Sequence, residues 1–122
     1  MTESITESRI ALPDFDMAIR HCGTGALVLC LHGFPDTAKT WDGLLPALAG
    51  AGYHAVAPFM RGYAPSGVPA DDAYNAYTLA KDVVALADAL APGAPFYLVG
   101  HDWGAITGYA TASLAGERLA AM

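Results

Sequence analysis

The sequence predicts an α/β domain, a mostly parallel sheet with flanking helices. Three observations carry that prediction. Unbroken apolar runs recur at Ala26–Leu31, Tyr53–Pro58 and residues 95–100, the pattern of strands buried on both faces. Each run is followed by a segment whose apolar residues return at helical spacing. Alternation of such strands with helices of roughly 10–15 residues means parallel pairing through right-handed crossovers.

Taken in order, two short strands open the chain. Residues 10–12 lead into the turn Pro13-Asp14. Phe15, Met17 and Ile19 then alternate with Asp16, Ala18 and Arg20, which predicts a half-buried strand. Gly23-Thr24-Gly25 is a loop before the run Ala26–Leu31. Trp41, Leu44, Leu45 and Leu48 lie at i, i+3, i+4 and i+7, a helix stripe that Pro46 should divide into two pieces and Gly50 or Gly52 should end. After Tyr53–Pro58, a loop rich in glycine and proline runs from Arg61 to about Asp72. Leu79, Val83, Leu86 and Leu90 mark one face of a second helix, with Lys81, Asp82 and Asp88 assigned to others. Pro92-Gly93 stops it. A third helix, rich in alanine and able to pack closely, is expected over residues 105–115.

The chain has 122 residues, of which 54% are hydrophobic and 15% charged. Charged residues are usually nearer about 25%, so this composition asks for unusually extensive burial. Leu, Ile, Val and Phe number 27 in all, enough to exclude a disordered tail. The length allows one domain. Six basic residues against 12 acidic ones leave a net charge of −6. Arg9, Arg20, Lys39, Arg61, Lys81 and Arg118 are scattered, so no basic stripe exists to neutralise nucleic-acid phosphates or an anionic membrane. No apolar run approaches the roughly 18 residues of a membrane span. The first eight residues are polar, carry two Glu and do not form a signal peptide, so a cytoplasmic protein is expected. Cys22 and Cys30 lack metal spacing and read as reduced structural thiols. No cofactor or metal is implied.

In α/β sheets the ligand site lies beyond the carboxyl ends of the strands. Two segments sit there. His32-Gly33-Phe34-Pro35 follows one buried run directly. Gly100-His101-Asp102-Trp103-Gly104 stands between another run and the small-residue helix. The second segment matches the nucleophile-elbow pattern G-x-S-x-G with Asp in place of Ser. Such a turn is so sharp that a side chain two positions before or after the nucleophile would collide with its neighbours. Gly100 and Gly104 meet that demand.

The pair of motifs resembles the α/β-hydrolase fold, and in particular its epoxide hydrolases. These carry H-G-F-P, a following Trp (here Trp41), R-G-Y (here Arg61-Gly62-Tyr63) and G-H-D-W-G. The resemblance runs from about Arg9 to Met122. Ala64 departs from the glycine usual after R-G-Y.

The identity of the nucleophile narrows the reaction on its own. A serine must lose a proton before attack, whereas an aspartate with a pKa near about 3.9 is already anionic at neutral pH. Carboxylate attack on a carbonyl would give a reactive anhydride, while attack on a saturated carbon gives an ordinary ester that activated water can hydrolyse. The substrate expected for Asp102 is therefore a small apolar epoxide or haloalkane. The oxyanion of the hydrolytic step needs preorganised donors. The backbone N–H of Trp103 is one. The resemblance implies that of Phe34 as the other, and a cis bond before Pro35. Phe34 and Trp103 are also the expected substrate-facing side chains.

Haloalkane dehalogenases usually carry Asn where Phe34 stands, and haloacetate dehalogenases carry Arg at the positions of Trp103 and Ile106. Epoxide hydrolysis is accordingly the favoured reading. A haloalkane dehalogenase and a non-catalytic ligand-binding or split-chain module are the alternatives. Trp103 fits a pocket wall and core packing equally. Trp41 and Tyr63 read as structural, Arg61 as a loop anchor, and His54 as a surface or satisfied histidine. His101 should point away from the chemistry, and Ser66 and Ser113 lack elbow context.

In this fold the triad runs nucleophile, acid, then histidine. The 20 residues after Asp102 contain no histidine and one carboxylate, Glu117. Residues 1–122 therefore read as an incomplete α/β-hydrolase core, without cap or base, which would not turn over alone and would pair with a missing C-terminal part or a second chain. Residues 118–122 read as the beginning of a further strand that is not built. That would leave residues 96–99 as an exposed apolar edge.

Overall fold

The computed structural model describes residues 4–70 and 73–122, so the last positions of the expected 61–72 loop and the first three of the polar N-terminus lie outside the described residues. Strands β1 (Thr6–Ala11), β2 (Asp16–Cys22), β3 (Ala26–Leu31), β4 (Tyr53–Pro58), β5 (Phe96–Gly100) and β6 (Leu119–Ala121) form one sheet. Helices α1 (Leu44–Gly50), α2 (Ala76–Leu90) and α3 (Trp103–Ala115) flank it. The spatial order is β1-β2-β4-β3-β5-β6. β2 pairs antiparallel with β1 and β4, while the pairs β4–β3, β3–β5 and β5–β6 are parallel. The fold class expected from the sequence is the one observed.

Both faces of the sheet are covered, which explains the continuous apolar runs. Leu27, Leu29 and Leu31 of β3 join Val83, Leu86, Phe96 and Leu98 in one cluster. Val28 and Cys30 point the other way, into a cluster with Leu45, Ala49, Ala55 and Ala57. Burial alone pushes the Cys30 thiol up to about 12, so it stays protonated and inert. Two-sided cover also corrects the half-buried reading of β2. Ala18, expected to face solvent, is buried in the second cluster with Cys22. β1 begins four residues before the expected 10–12. Its polar residues Glu7, Ser8 and Arg9 suit an edge strand, where Glu7 lies opposite Arg20 and accepts a 2.6 Å bond from it.

The first helical element is divided as expected, but the break falls at Asp42-Gly43 rather than at Pro46. A single 3-10 turn covers Ala38–Trp41, and Pro46 is the third residue of α1, where a backbone N–H has no helical carbonyl to meet. Trp41 packs on the α1 side of the sheet. Asn75 caps α2 by accepting from Thr78 N at 2.9 Å. α3 starts at Trp103, two residues earlier than expected.

Two further expectations are corrected. Residues 119–121 are a built strand, with Leu119 opposite Phe96 and Ala121 opposite Tyr97, so β5 is not the edge. A parallel partner of three residues needs little sequence signal, because most of its cohesion comes from the strand beside it. The second correction is Asp82, assigned to a solvent face of α2 but only 7% exposed. Arg61, also buried, holds it in a two-pronged ion pair: Nε donates to Oδ2 at 2.9 Å and Nη2 to Oδ1 at 3.1 Å. Arg61 further donates to the Ala73 carbonyl at 3.2 Å and to Asp14 at 3.3 Å. One guanidinium thus ties the β4–α2 loop to α2 and to the β1–β2 turn, as the loop-anchor reading expects.

Removing one partner of such a pair strands a buried charge, which typically costs about 3–5 kcal/mol. Asp82→Ala is expected to lower stability by that order in urea unfolding, and the double substitution Arg61→Met with Asp82→Leu to recover much of it. An Asp82→Ala midpoint equal to wild type would refute the account.

Candidate active site

β3 and β5 are neighbours, so the segments that follow them meet at the carboxyl edge of the sheet. His101 N donates to Leu31 O at 3.2 Å and Gly104 N to His101 O at 2.9 Å, which folds the β5–α3 connection into a tight turn. Asp102 sits at its apex with φ 58° and ψ −122°, the one non-glycine residue at positive φ among the described residues. Such a conformation costs of order 1–3 kcal/mol and persists only where the surroundings over-determine it.

Missing Cβ atoms make the turn feasible. A Cβ on Gly104 would lie 2.6 Å from Leu31 C and 2.8 Å from His32 O. One on Gly100 would lie 2.6 Å from Gly104 O. A Cβ on Gly33 would lie 2.8 Å from both Asp102 Oδ2 and His101 O. Gly33 and Gly104 therefore press on the opposite segment across the β3–β5 boundary, while Gly100 lets the turn close on the start of its own helix.

The Asp102 side chain leaves its own helix uncapped and reaches across to the other loop. Phe34 N donates to Asp102 Oδ2 at 3.1 Å. That amide, with the N–H of Trp103, holds the carboxyl below its ordinary value of 3.8, and the nearby His101 adds to the effect. An exposed carboxylate at a helix N-terminus is favoured in the same direction. Asp102 is thus anionic across the neutral range, facing solvent, with two amides on it. The Phe34–Pro35 bond is cis, as the motif resemblance implies, and Ala64–Pro65 is cis as well.

His32 is buried. Met60 N donates to its Nε2 at 3.0 Å, leaving Nδ1 to donate to Gly33 O at 3.0 Å. Burial lowers its pKa below 6.5. The neutral ring therefore pins the loop after β3 to the loop after β4, and Tyr63 packs edge-on against it with centroids 4.5 Å apart. Ser66 is consumed structurally, accepting from Ala18 N at 2.9 Å and donating to Phe59 O at 2.6 Å. His54 pairs with His21 at 3.1 Å on the adjacent strands β4 and β2, and His101 is exposed. Phe34 and Trp103 present exposed rings, 67% and 44%, at the same end of the sheet. Among the described residues no group of three His, Cys, Asp or Glu is placed to hold a metal ion, and no helix is long and apolar enough to cross a membrane.

A strand–turn–helix with a strained acidic apex, set beside an amide-bearing loop on a sheet ordered 1-2-4-3-5-6, defines an α/β hydrolase. Residues 26–122 match the family described as the alpha/beta hydrolase fold, and the chain belongs to it. Its relatives include an epoxide hydrolase of Caballeronia sordidicola, 40% identical over 123 residues and matched along 100% of this chain and 37% of that protein. Epoxide hydrolase A of Mycobacterium tuberculosis is 42% identical over 97 residues, covering 79% of this chain and 30% of its own length. Among solved structures, an epoxide hydrolase from Vigna radiata superposes with a TM-score of 0.88 at 37% identity, over 94% of this chain and 37% of that one. A laboratory-evolved variant of potato epoxide hydrolase gives 0.89 at 33% identity, over 95% and 38%. The chain spans between 30% and 38% of the length of these relatives.

Two outcomes follow. The Asp102 carboxyl, followed by carbon-13 NMR, is expected to titrate below 3.8, and its midpoint to rise in Gly33→Ala, where the Phe34 amide is pushed off. A wild-type midpoint at or above 3.8 contradicts the amide contacts. For His32 the folded pKa lies below the unfolded one, so the unfolded chain binds the extra proton. Stability should be full above pH 6.5 and fall as pH drops below it, a slope that His32→Gln reduces in urea titrations, burial of His54 acting in the same direction.

Proposed function

We propose that this chain carries the nucleophile and the oxyanion donors of an epoxide hydrolase. The observation that carries the reading is the Asp102 carboxylate, anionic and exposed at the strained turn with Phe34 N–H on Oδ2. Oδ1 attacks a saturated carbon of the epoxide, a C–O bond of the ring breaks, and the oxygen released takes a proton from an acid. The product is an ester on Asp102 whose carbonyl oxygen is Oδ2. Water then adds to that carbonyl, and the developing oxyanion lies where Phe34 N–H and Trp103 N–H already point. Collapse frees the diol and restores the carboxylate. Amides so preorganised require no rearrangement when charge develops.

The hydrolytic step needs a base, and the four histidines of this chain do not supply it. His32 is buried with both ring nitrogens engaged, His21 and His54 bond each other, and His101 is exposed without a side-chain hydrogen bond to Asp102. The names of the relatives support the epoxide as substrate class. The base, its acid partner and the proton donor to the epoxide are proposed to come from polypeptide beyond these 122 residues, consistent with the share of the relatives that the chain spans.

Incubated with styrene oxide, the purified chain is expected to gain slowly, with solvent water protonating the released oxygen, one alkyl ester, located by peptide mass mapping on Asp102 and absent in Asp102→Asn. Diol should form no faster than with Asp102→Asn, because the ester is not hydrolysed. Steady turnover by the chain alone, or an adduct on another residue, would sink the proposal.

A further inference from the structure

Three polar side chains stand in a row on the β1–β2–β4 side of the sheet, with three strands between β1 and the β5 that leads to Asp102. Side-chain alternation sets Ser8 on the face of Ile10, His21 on that of Ile19 and His54 on that of Val56, all toward the cluster that α2 covers. His21 lies opposite Thr6 on one side and Val56 on the other, so Ser8 and His54 are its diagonal neighbours. Ser8 Oγ lies 2.9 Å from His21 Nε2, and His21 Nδ1 lies 3.1 Å from His54 Nε2. The two rings meet edge-on, with interplanar angle 74° and centroids 5.3 Å apart. All three residues are partly open to solvent.

A hydroxyl on one ring nitrogen and an orienting group on the other is the arrangement that activates a serine as a nucleophile. With the ring proton of His21 on Nδ1, that N–H donates to His54 Nε2 and leaves Nε2 to accept from the Ser8 hydroxyl. Burial, and after it the charge of His21, lowers the His54 pKa, so His54 is neutral and free to accept. With the ring proton on Nε2 instead, His21 would donate to Ser8 and the hydroxyl would stay inactive. The two arrangements therefore differ in reactivity. β1 is the edge of the described sheet, so alternate amides along it have no strand partner and are open to an incoming carbonyl oxygen. A hydroxyl that yields its proton suits a carbonyl carbon, where it forms an ordinary ester. The Asp102 carboxylate would form an anhydride there.

We infer that Ser8, His21 and His54 form a second nucleophilic site, independent of Asp102, that takes acyl groups from small activated esters. Ser8 Oγ attacks the ester carbonyl carbon while its proton passes to His21 Nε2. The tetrahedral intermediate collapses, the bond from that carbon to the leaving oxygen breaks, and the alcohol departs with the proton from His21. An acyl ester of Ser8 remains. His54 touches no reacting atom and is a positioning residue, which holds the His21 tautomer. The chain carrying Asp102→Asn is incubated with p-nitrophenyl acetate, phenolate release is followed by absorbance, and acetyl groups are located by peptide mass mapping. Ser8 is expected to be acetylated about a hundredfold faster than the exposed Ser113. Ser8→Ala should abolish this phase, and His21→Gln should slow Ser8 to the rate of Ser113. His54→Leu should slow it severalfold, and His54→Gln, whose Oε1 accepts from Nδ1 in place of Nε2, should restore it. Ser8 lies on an edge strand and is partly open, so Ser8→Ala is not expected to endanger folding. Acetylation of Ser8 no faster than that of Ser113 would overturn the site. So would phenolate release unchanged in Ser8→Ala, which would put the acetyl group on an imidazole. Equal rates in His54→Leu and wild-type His54 would overturn the positioning role.

Discussion

The structure depends on one close approach, that of the β5–α3 turn to the end of β3. Gly104 lies against the carbonyls of Leu31 and His32, and Gly33 lies against Asp102. Backbones this near leave no room for a methyl group. The same nearness brings the Phe34 amide within hydrogen-bond distance of a carboxylate 68 positions away in sequence. Parallel pairing of β3 with β5 makes the approach obligatory, because it sets both chain segments at one edge in the same direction. The site is in that sense a by-product of strand order, tuned by three missing side chains.

Around this contact, two buried polar devices hold the neighbouring loop. His32 links the loop after β3 to Met60, and Arg61 links the next residue onward to Asp82, Ala73 and Asp14. Together they hold Tyr63, which follows Arg61 by two positions and packs against the His32 ring. Neither residue touches the Asp102 carboxylate. Their effect reaches it through the position of the Gly33–Phe34 backbone.

Much of this was legible in the sequence, because its signals are local. Gly100 and Gly104 flank a residue at fixed spacing, and His32-Gly33-Phe34-Pro35 ends an apolar run, so both motifs can be read without knowing what they touch. Asp82 escaped because helical spacing assigns a carboxylate to solvent, and its partner lies 21 positions earlier in a loop. Ala18 escaped because alanine on the second face of a strand carries little hydrophobic signal, and the helix that covers it comes later. β6 escaped because three residues beside an existing edge need almost no propensity of their own.

The buried Arg61–Asp82 pair has a consequence for how the molecule responds to ionic strength. Mobile ions screen charges that face water, with a Debye length of about 8 Å under physiological conditions, and act far less on pairs shut away from it. The Arg61 side chain is fully covered, whereas the acidic partners of Arg20 and Arg118, Glu7 and Asp88, are about half exposed. Added salt should therefore loosen the ties at the β1–β2 edge and at the α2–β6 corner first. The Arg61–Asp82 tie between the β4–α2 loop and α2 would hold, so the loop that carries Tyr63 keeps its anchor after the edges have loosened.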